Sequence, residues 1–108
     1  MRGRPAGEVR GTTRFASKFA SLKEGDELRK SVDSCLNELK ADAQAGIKIP
    51  RNLWPRDYVK NYGISNLYKC NLAGAQRLLY TIYVESGRAK VLAIDFMPHK
   101  EYEKLFGY

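Results

Sequence analysis

The chain has 108 residues, with 19 Lys and Arg against 12 Asp and Glu and a formal charge of +7. That length excludes a multidomain chain and fits one domain, which buries roughly two thirds of its unfolded surface on folding. A composition 44% hydrophobic and 11% aromatic excludes a disordered chain, and no apolar run reaches the ~20 residues of a membrane span.

Met1 to Arg10 is rich in Gly, Arg and Pro and reads as a loose basic leader, residues 1–10, ahead of one domain over residues 11–108. No apolar stretch comes after these cations, so no signal peptide is expected. Cys35 and Cys70 are outside any CxxC motif and read as small core residues of a protein in the reducing cytoplasm. No ligand set stands around the lone His99, so no metal is expected.

In chain order, Phe15, Phe19 and Leu22 recur at helical spacing between Thr13 and Leu22. Glu24-Gly25-Asp26 is a turn signal, with Asp26 placed to cap a second helix. Leu28, Val32, Cys35, Leu36 and Leu39 then form an apolar stripe over about three helical turns, with Gly46 as a natural stop. The two elements predict a helical hairpin. Pro50 and Pro55 make Ile47–Pro55 irregular, and residues 55–60 open a short helical turn. From Leu67 the period changes to two. Leu67–Leu72, Gln76–Val84 and Ala89–Phe96 predict three strands joined by short connections, hence antiparallel hairpins. Residues 99–106 are charged and aromatic and predict one or two helical turns or an extended tail. The expected fold is α+β, with an N-terminal helical hairpin packed on a small antiparallel sheet and a short C-terminal helical turn or tail.

Strand alternation sorts the side chains. The three-residue loop 73–75 pairs Leu72 with Gln76, Asn71 with Arg77 and Lys69 with Leu79. One face then carries Tyr68, Cys70, Leu72, Leu78, Tyr80 and Ile82, apolar enough to lie under the helices. The other carries Lys69, Asn71, Arg77, Thr81 and Tyr83, interleaving cations with aromatics as a nucleic-acid surface does. The apolar run 91–94 requires part of that second face to be covered as well. Arg77 has a bland alternative, a strand ion pair with a carboxylate such as Asp95, and Trp54 reads as a packing anchor.

The charge is unevenly spread. Residues 47–80 hold six cations, Lys48, Arg51, Arg56, Lys60, Lys69 and Arg77, against the single anion Asp57. An excess of this kind attracts a polyanion, nucleic acid or a membrane surface. These six, with Asn71 on the strand face and Lys100 in the closing segment, are the candidate nucleic-acid contacts.

Three segments carry a resemblance: Leu67-Tyr68-Lys69-Cys70-Asn71-Leu72, Gln76-Arg77-Leu78-Leu79-Tyr80-Thr81-Ile82, and His99-Lys100-Glu101-Tyr102. In this order, behind a helical hairpin, they resemble the RelE/ParE toxin superfamily of toxin–antitoxin systems, over most of the chain from about Phe15 onward. The resemblance implies a metal-independent, cofactor-free endoribonuclease, an mRNA interferase acting on the ribosome. In that chemistry the ribose 2′-hydroxyl attacks the neighbouring phosphorus and the leaving oxygen takes a proton, which needs charge stabilisation and proton transfer. Arg77 matches the family's phosphate-holding arginine. Lys69 matches a lysine that stabilises charge or assists the base. His99 or Lys100 stands in the region supplying the acid, and Tyr102 matches a tyrosine that positions or stacks on substrate. Asn71 stands where the ribonucleases often carry a second lysine, which moves proton transfer onto His99, a side chain suited to it near neutral pH. The resemblance also implies an antitoxin partner, docking on exposed sheet or on the helical-hairpin groove. The alternatives it carries are a ParE-like DNA gyrase inhibitor and a non-catalytic RNA- or antitoxin-binding member.

Overall fold

A computed structural model of the chain describes residues 5–107. Helix α1 (Thr13–Ala20) starts at Thr12, whose hydroxyl accepts from Phe15 N at 3.1 Å and donates to Ile94 O at 2.6 Å. One side chain therefore both caps the helix and ties it to the sheet. Thr12→Val keeps the shape and removes both bonds, and is expected to lower unfolding stability by about 1–3 kcal/mol in urea denaturation. Helix α2 (Glu27–Ala41) starts as the turn signal requires, with Asp26 accepting from Leu28 N at 2.8 Å. Its stripe packs as spaced: Val32, Cys35 and Leu39 are buried and Leu28 and Leu36 are half-buried against them. The predicted hairpin is only partly present, because the helices lean on the sheet, α1 on β5 and α2 on β3, more than on each other.

The strands are β1 (Val9–Gly11), β2 (Ile47–Lys48), β3 (Tyr68–Leu72), β4 (Gln76–Glu85) and β5 (Arg88–Pro98), in sheet order β1-β5-β4-β3-β2. The β3–β4 register is the one the loop length predicts, with Leu72 opposite Gln76, Asn71 opposite Arg77 and Lys69 opposite Leu79. The β4–β5 turn has Ser86 and Gly87 both at positive φ, 54° and 74°, which matches the right-handed twist of a two-residue hairpin.

Two strands depart from the sequence reading. The segment expected as a loose leader is held from Ala6 onward: Ala6 N donates to Lys40 O, Gly7 N to Ala89 O and Val91 N to Glu8 O. It ends as β1, parallel to β5, so the sheet is mixed rather than purely antiparallel. Met1 to Arg4 lie outside the described residues. The segment expected to be irregular contributes β2, two residues paired with Lys69 and Tyr68 on the edge of β3.

Both sheet faces are covered. Under α1 and α2 lie Tyr68, Leu72, Leu78, Tyr80, Val91, Ala93 and Phe96. The opposite face is covered by α3 (Arg56–Tyr62) and α4 (His99–Phe106), over a core that includes Leu67, Leu79, Ile94 and Met97. The closing segment is thus a helix, and covering by α3 and α4 explains why β5 is apolar on both faces. A bulge between the pairs Leu79–Asp95 and Tyr80–Ala93 leaves Ile94 as an extra residue on β5. It seats Ile94 in the second core, while Asp95 meets Arg14 at 3.0 Å and Lys18 at 2.8 Å on α1.

Cys35 is buried and Cys70 half-buried, both against the first core. A hydrogen bond with Cys70, together with burial, pushes the Cys35 thiol well up. Thiolate is the reactive form. A thiol-alkylating reagent is therefore expected to leave Cys35 untouched in the native protein and to modify it at the rate of global unfolding, read by peptide mass. Modification of Cys35 as fast as a free thiol would contradict this packing.

Candidate nucleic-acid interface

The second face of β3 and β4 turns Lys69, Asn71 and Arg77 to one side, and α4 crosses that side. Pro98 enters α4 and Gly107, at φ 75°, leaves it, so the helix occupies residues 99–106. Helical spacing puts His99, Tyr102, Glu103 and Phe106 towards one side. Tyr102 is buried at 3% exposure, with the Phe106 ring centroid 4.5 Å away.

Around Tyr102 the predicted site residues meet. The Lys69 ammonium lies 5.2 Å from the centre of the Tyr102 ring, and the His99 ring stacks at 6.3 Å. Burial pushes the Tyr102 phenol up, and the field of Arg77 pulls it down. The phenol is thus protonated at neutral pH and carries no charge to cancel its two cationic neighbours. Its burial also settles what Tyr102 can do as it stands. A ring this enclosed cannot stack on a base, so it braces Lys69 and His99 instead.

The bland alternative for Arg77 fails. Asp95 is already bound by Arg14, Lys18 and the Phe96 backbone N–H, and the Arg77 guanidinium donates to Gln76 O at 3.1 Å. More generally, the ion pairs among the described residues involve Arg10, Arg14, Lys18, Lys90 and His99. None of the six cations between residues 47 and 80 takes part in one. At the far end of the sheet, by contrast, Lys90 and Arg10 hold the Glu8 and Glu85 carboxylates below their usual 4.5. These six include Lys69 and Arg77, on the sheet face that α4 crosses, and Lys48 and Arg51, at the β2 edge.

That edge holds a second station. Lys48 and Arg51 line a shallow depression of about 470 Å³ with Trp54 and Ser65. The Arg51 guanidinium lies over the Trp54 ring at 4.9 Å, and Trp54 Nε1 donates to Ile49 O at 2.9 Å. Trp54 is the anchor its sequence context predicts, and it also orients a cation. Arg56 and Lys60 are exposed on α3, and Asn71 and Lys100 are exposed beside Arg77 and His99 respectively. The structure thus brings Lys69, Arg77, His99 and Tyr102 together and sets Lys48 with Arg51 on a separate patch.

Sequence reading missed Glu103. Its carboxylate stands 3.5 Å from His99 Nε2, one helical turn along. The spacing of four residues in a segment with helical character was the available signal. It also missed Asn66, whose side chain bonds Thr81 and the backbone of Ile82 and so pins the approach to β3 onto β4. Nothing in its local sequence marks that role.

These features define an α+β protein with a cationic, phenol-backed surface on one sheet face. The chain matches no protein-family model, no curated protein and no solved structure. Among the described residues, no helix is long and apolar enough to cross a membrane.

Proposed function

We propose that this protein is an endoribonuclease of the RelE kind, the toxin partner of an antitoxin, cleaving mRNA on the ribosome without a metal. The observation that carries the reading is the meeting of Lys69, Arg77 and the exposed His99 around a buried, neutral Tyr102. Both cations are free of carboxylate partners among the described residues.

In this reading Arg77 holds the scissile phosphate through its planar fork of donors. As the 2′-hydroxyl gives up its proton to solvent water and its oxygen closes on phosphorus, negative charge grows on the non-bridging oxygens. Arg77 and Lys69 lie beside that charge before it forms, which is how a preorganised site lowers a barrier. The P–O5′ bond breaks and the departing oxygen accepts a proton from His99, whose Nε2 stands 3.5 Å from the Glu103 carboxylate. Tyr102 acts as a positioning residue for both. Asn71 presents an uncharged amide beside Arg77, so it orients substrate rather than moving protons.

The test is purified protein added to ribosomes programmed with mRNA, in the presence of a chelator, with DNA gyrase supercoiling measured alongside. Cleaved mRNA with 2′,3′-cyclic phosphate ends and unaffected gyrase is the expected result. Intact mRNA with inhibited gyrase would overturn it in favour of the ParE-like reading. Effects on neither would leave the non-catalytic reading.

A further inference from the structure

A cavity of about 410 Å³ opens on the other side of α4, where α1, α3 and the end of β5 come together. Its lining includes none of Lys69, Arg77, His99 and Tyr102, but it adjoins them. Met97 in its wall is the direct cross-strand partner of Arg77, and α4 supplies both His99 to one side and Glu101, Lys104 and Leu105 to the other.

Its chemistry differs from that of the cationic face. Arg14, Lys18 and Lys104 are balanced by Asp57, Asp95 and Glu101. A lining with no net charge does not select a phosphate. Ile94, Met97 and Leu105 give it an apolar wall, and the rings of Tyr58 and Tyr62 give it flat ones. Hydrogen-bonding groups stand among them. Tyr58 is 7% exposed, and its buried hydroxyl has no hydrogen-bond partner among the described residues. A buried donor left so is available to an acceptor that is brought against it. The Asn61 amide offers a donor and an acceptor, and the Asp57 and Glu101 carboxylates accept only.

Flat apolar walls with a few donors and acceptors at the edge are what an unstacked nucleobase requires. From this we infer that the cavity is a base-binding site. It takes the base of a nucleotide next to the phosphate held by Arg77, and prefers bases that carry an exocyclic amino group over uracil. The inference rests on the ribonuclease reading for its source of bases. The charge balance and the orphaned Tyr58 hydroxyl stand without that reading.

The experiment titrates adenosine, guanosine, cytidine and uridine separately into the purified chain, followed by amide chemical shifts in NMR. The expected result is saturable shifts at residues 57–62, 94–97 and 101–105, with uridine weakest. Tyr58→Phe removes a hydroxyl that bonds no group among the described residues, so its melting temperature should hold or rise. Its affinity for the bound nucleoside should fall about tenfold, as for loss of one enclosed hydrogen bond. Saturable shifts elsewhere, no saturable binding, or equal affinity for wild type and Tyr58→Phe would each overturn the site. Binding of Nα-acetyl-arginine amide in this cavity, with the nucleosides failing, would overturn it and mark the cavity as a receptor for a partner protein's side chain. Because nucleoside binding is read without cleavage, an inactive protein that still binds adenosine here refutes the ribonuclease reading alone. A protein that cleaves mRNA but binds no nucleoside refutes the cavity assignment alone.

Discussion

Arg77→Ala is expected to reduce the rate of mRNA cleavage roughly 10²–10³-fold, the usual effect of removing one preorganised donor from a developing oxyanion. The fold should hardly notice. Arg77 is half-exposed, and its described hydrogen bond goes to the carbonyl of its own neighbour, Gln76. A stability change within about 0.5 kcal/mol is expected, because a surface substitution of this kind breaks no core contact. That separation makes the result readable: a folded protein, by urea denaturation and circular dichroism, with its activity gone. Arg77→Lys keeps a charge and loses the bidentate fork, so its rate should fall between the two. His99→Ala should cost about 10²–10⁴-fold, the range of general acid catalysis, and it too leaves the core intact since His99 is exposed. Wild-type cleavage by both variants would remove the Tyr102 group from the reaction. Raising salt tests the same proposal from the substrate's side, because cations that bind a phosphate backbone do so by releasing its counterions. Affinity for RNA should fall steeply as salt rises, and less steeply once Lys48 and Arg51 are replaced by glutamine.

How much of this molecule is legible in its sequence depends on the range of the forces involved. The α2 stripe and the β3–β4 register are local: a period of 3.6 buries Val32, Cys35 and Leu39, and a three-residue loop leaves Asn71 opposite Arg77. That register alone puts Lys69 and Arg77 on one face. The burial of Tyr102 has no such local cause. A helix reading His-Lys-Glu-Tyr-Glu-Lys looks solvent-exposed until α4 is docked over Leu79, Ile94 and Met97, which is a contact made by distant chain. Strand β1 is hidden for the same reason. Val9–Gly11 has little strand character of its own and forms because the outer edge of β5 is unpaired and needs hydrogen-bond partners there. Strand β2 is two residues long and is defined wholly by Tyr68 and Lys69 across from it. The bulge that turns Asp95 towards Arg14 and Lys18 takes away the partner that spacing alone allows Arg77.

Gly46→Ala should lower stability by about 2–3 kcal/mol and the melting temperature by roughly 10 °C or more. In sequence Gly46 reads as the stop of α2, but that helix ends at Ala41, and the glycine serves a different need. A methyl group there would lie 2.7 Å from the Tyr80 hydroxyl oxygen and 2.8 Å from the backbone oxygen of Lys69. Neither neighbour can yield. Tyr80 is fully enclosed, its hydroxyl donates to Ala43 O at 2.8 Å and accepts from Gly46 N at 3.0 Å, and its ring stacks on Tyr68 at 5.2 Å. Lys69 O belongs to a strand paired on both sides. The chain at residue 46 must therefore move outward, which breaks the bond from its N–H to Tyr80 and draws Ile47 from its pairing with Lys69. Because Lys69 is also the cation over Tyr102, the strain reaches the site. Cleavage at temperatures well below the melting point should then fall with Gly46→Ala. With Tyr80→Phe, which removes the hydroxyl and leaves the backbone spacing of β2 unchanged, stability alone should fall, by about 1–3 kcal/mol. Equal activity losses in the two variants would mean that the spacing at Gly46 does not govern where Lys69 sits.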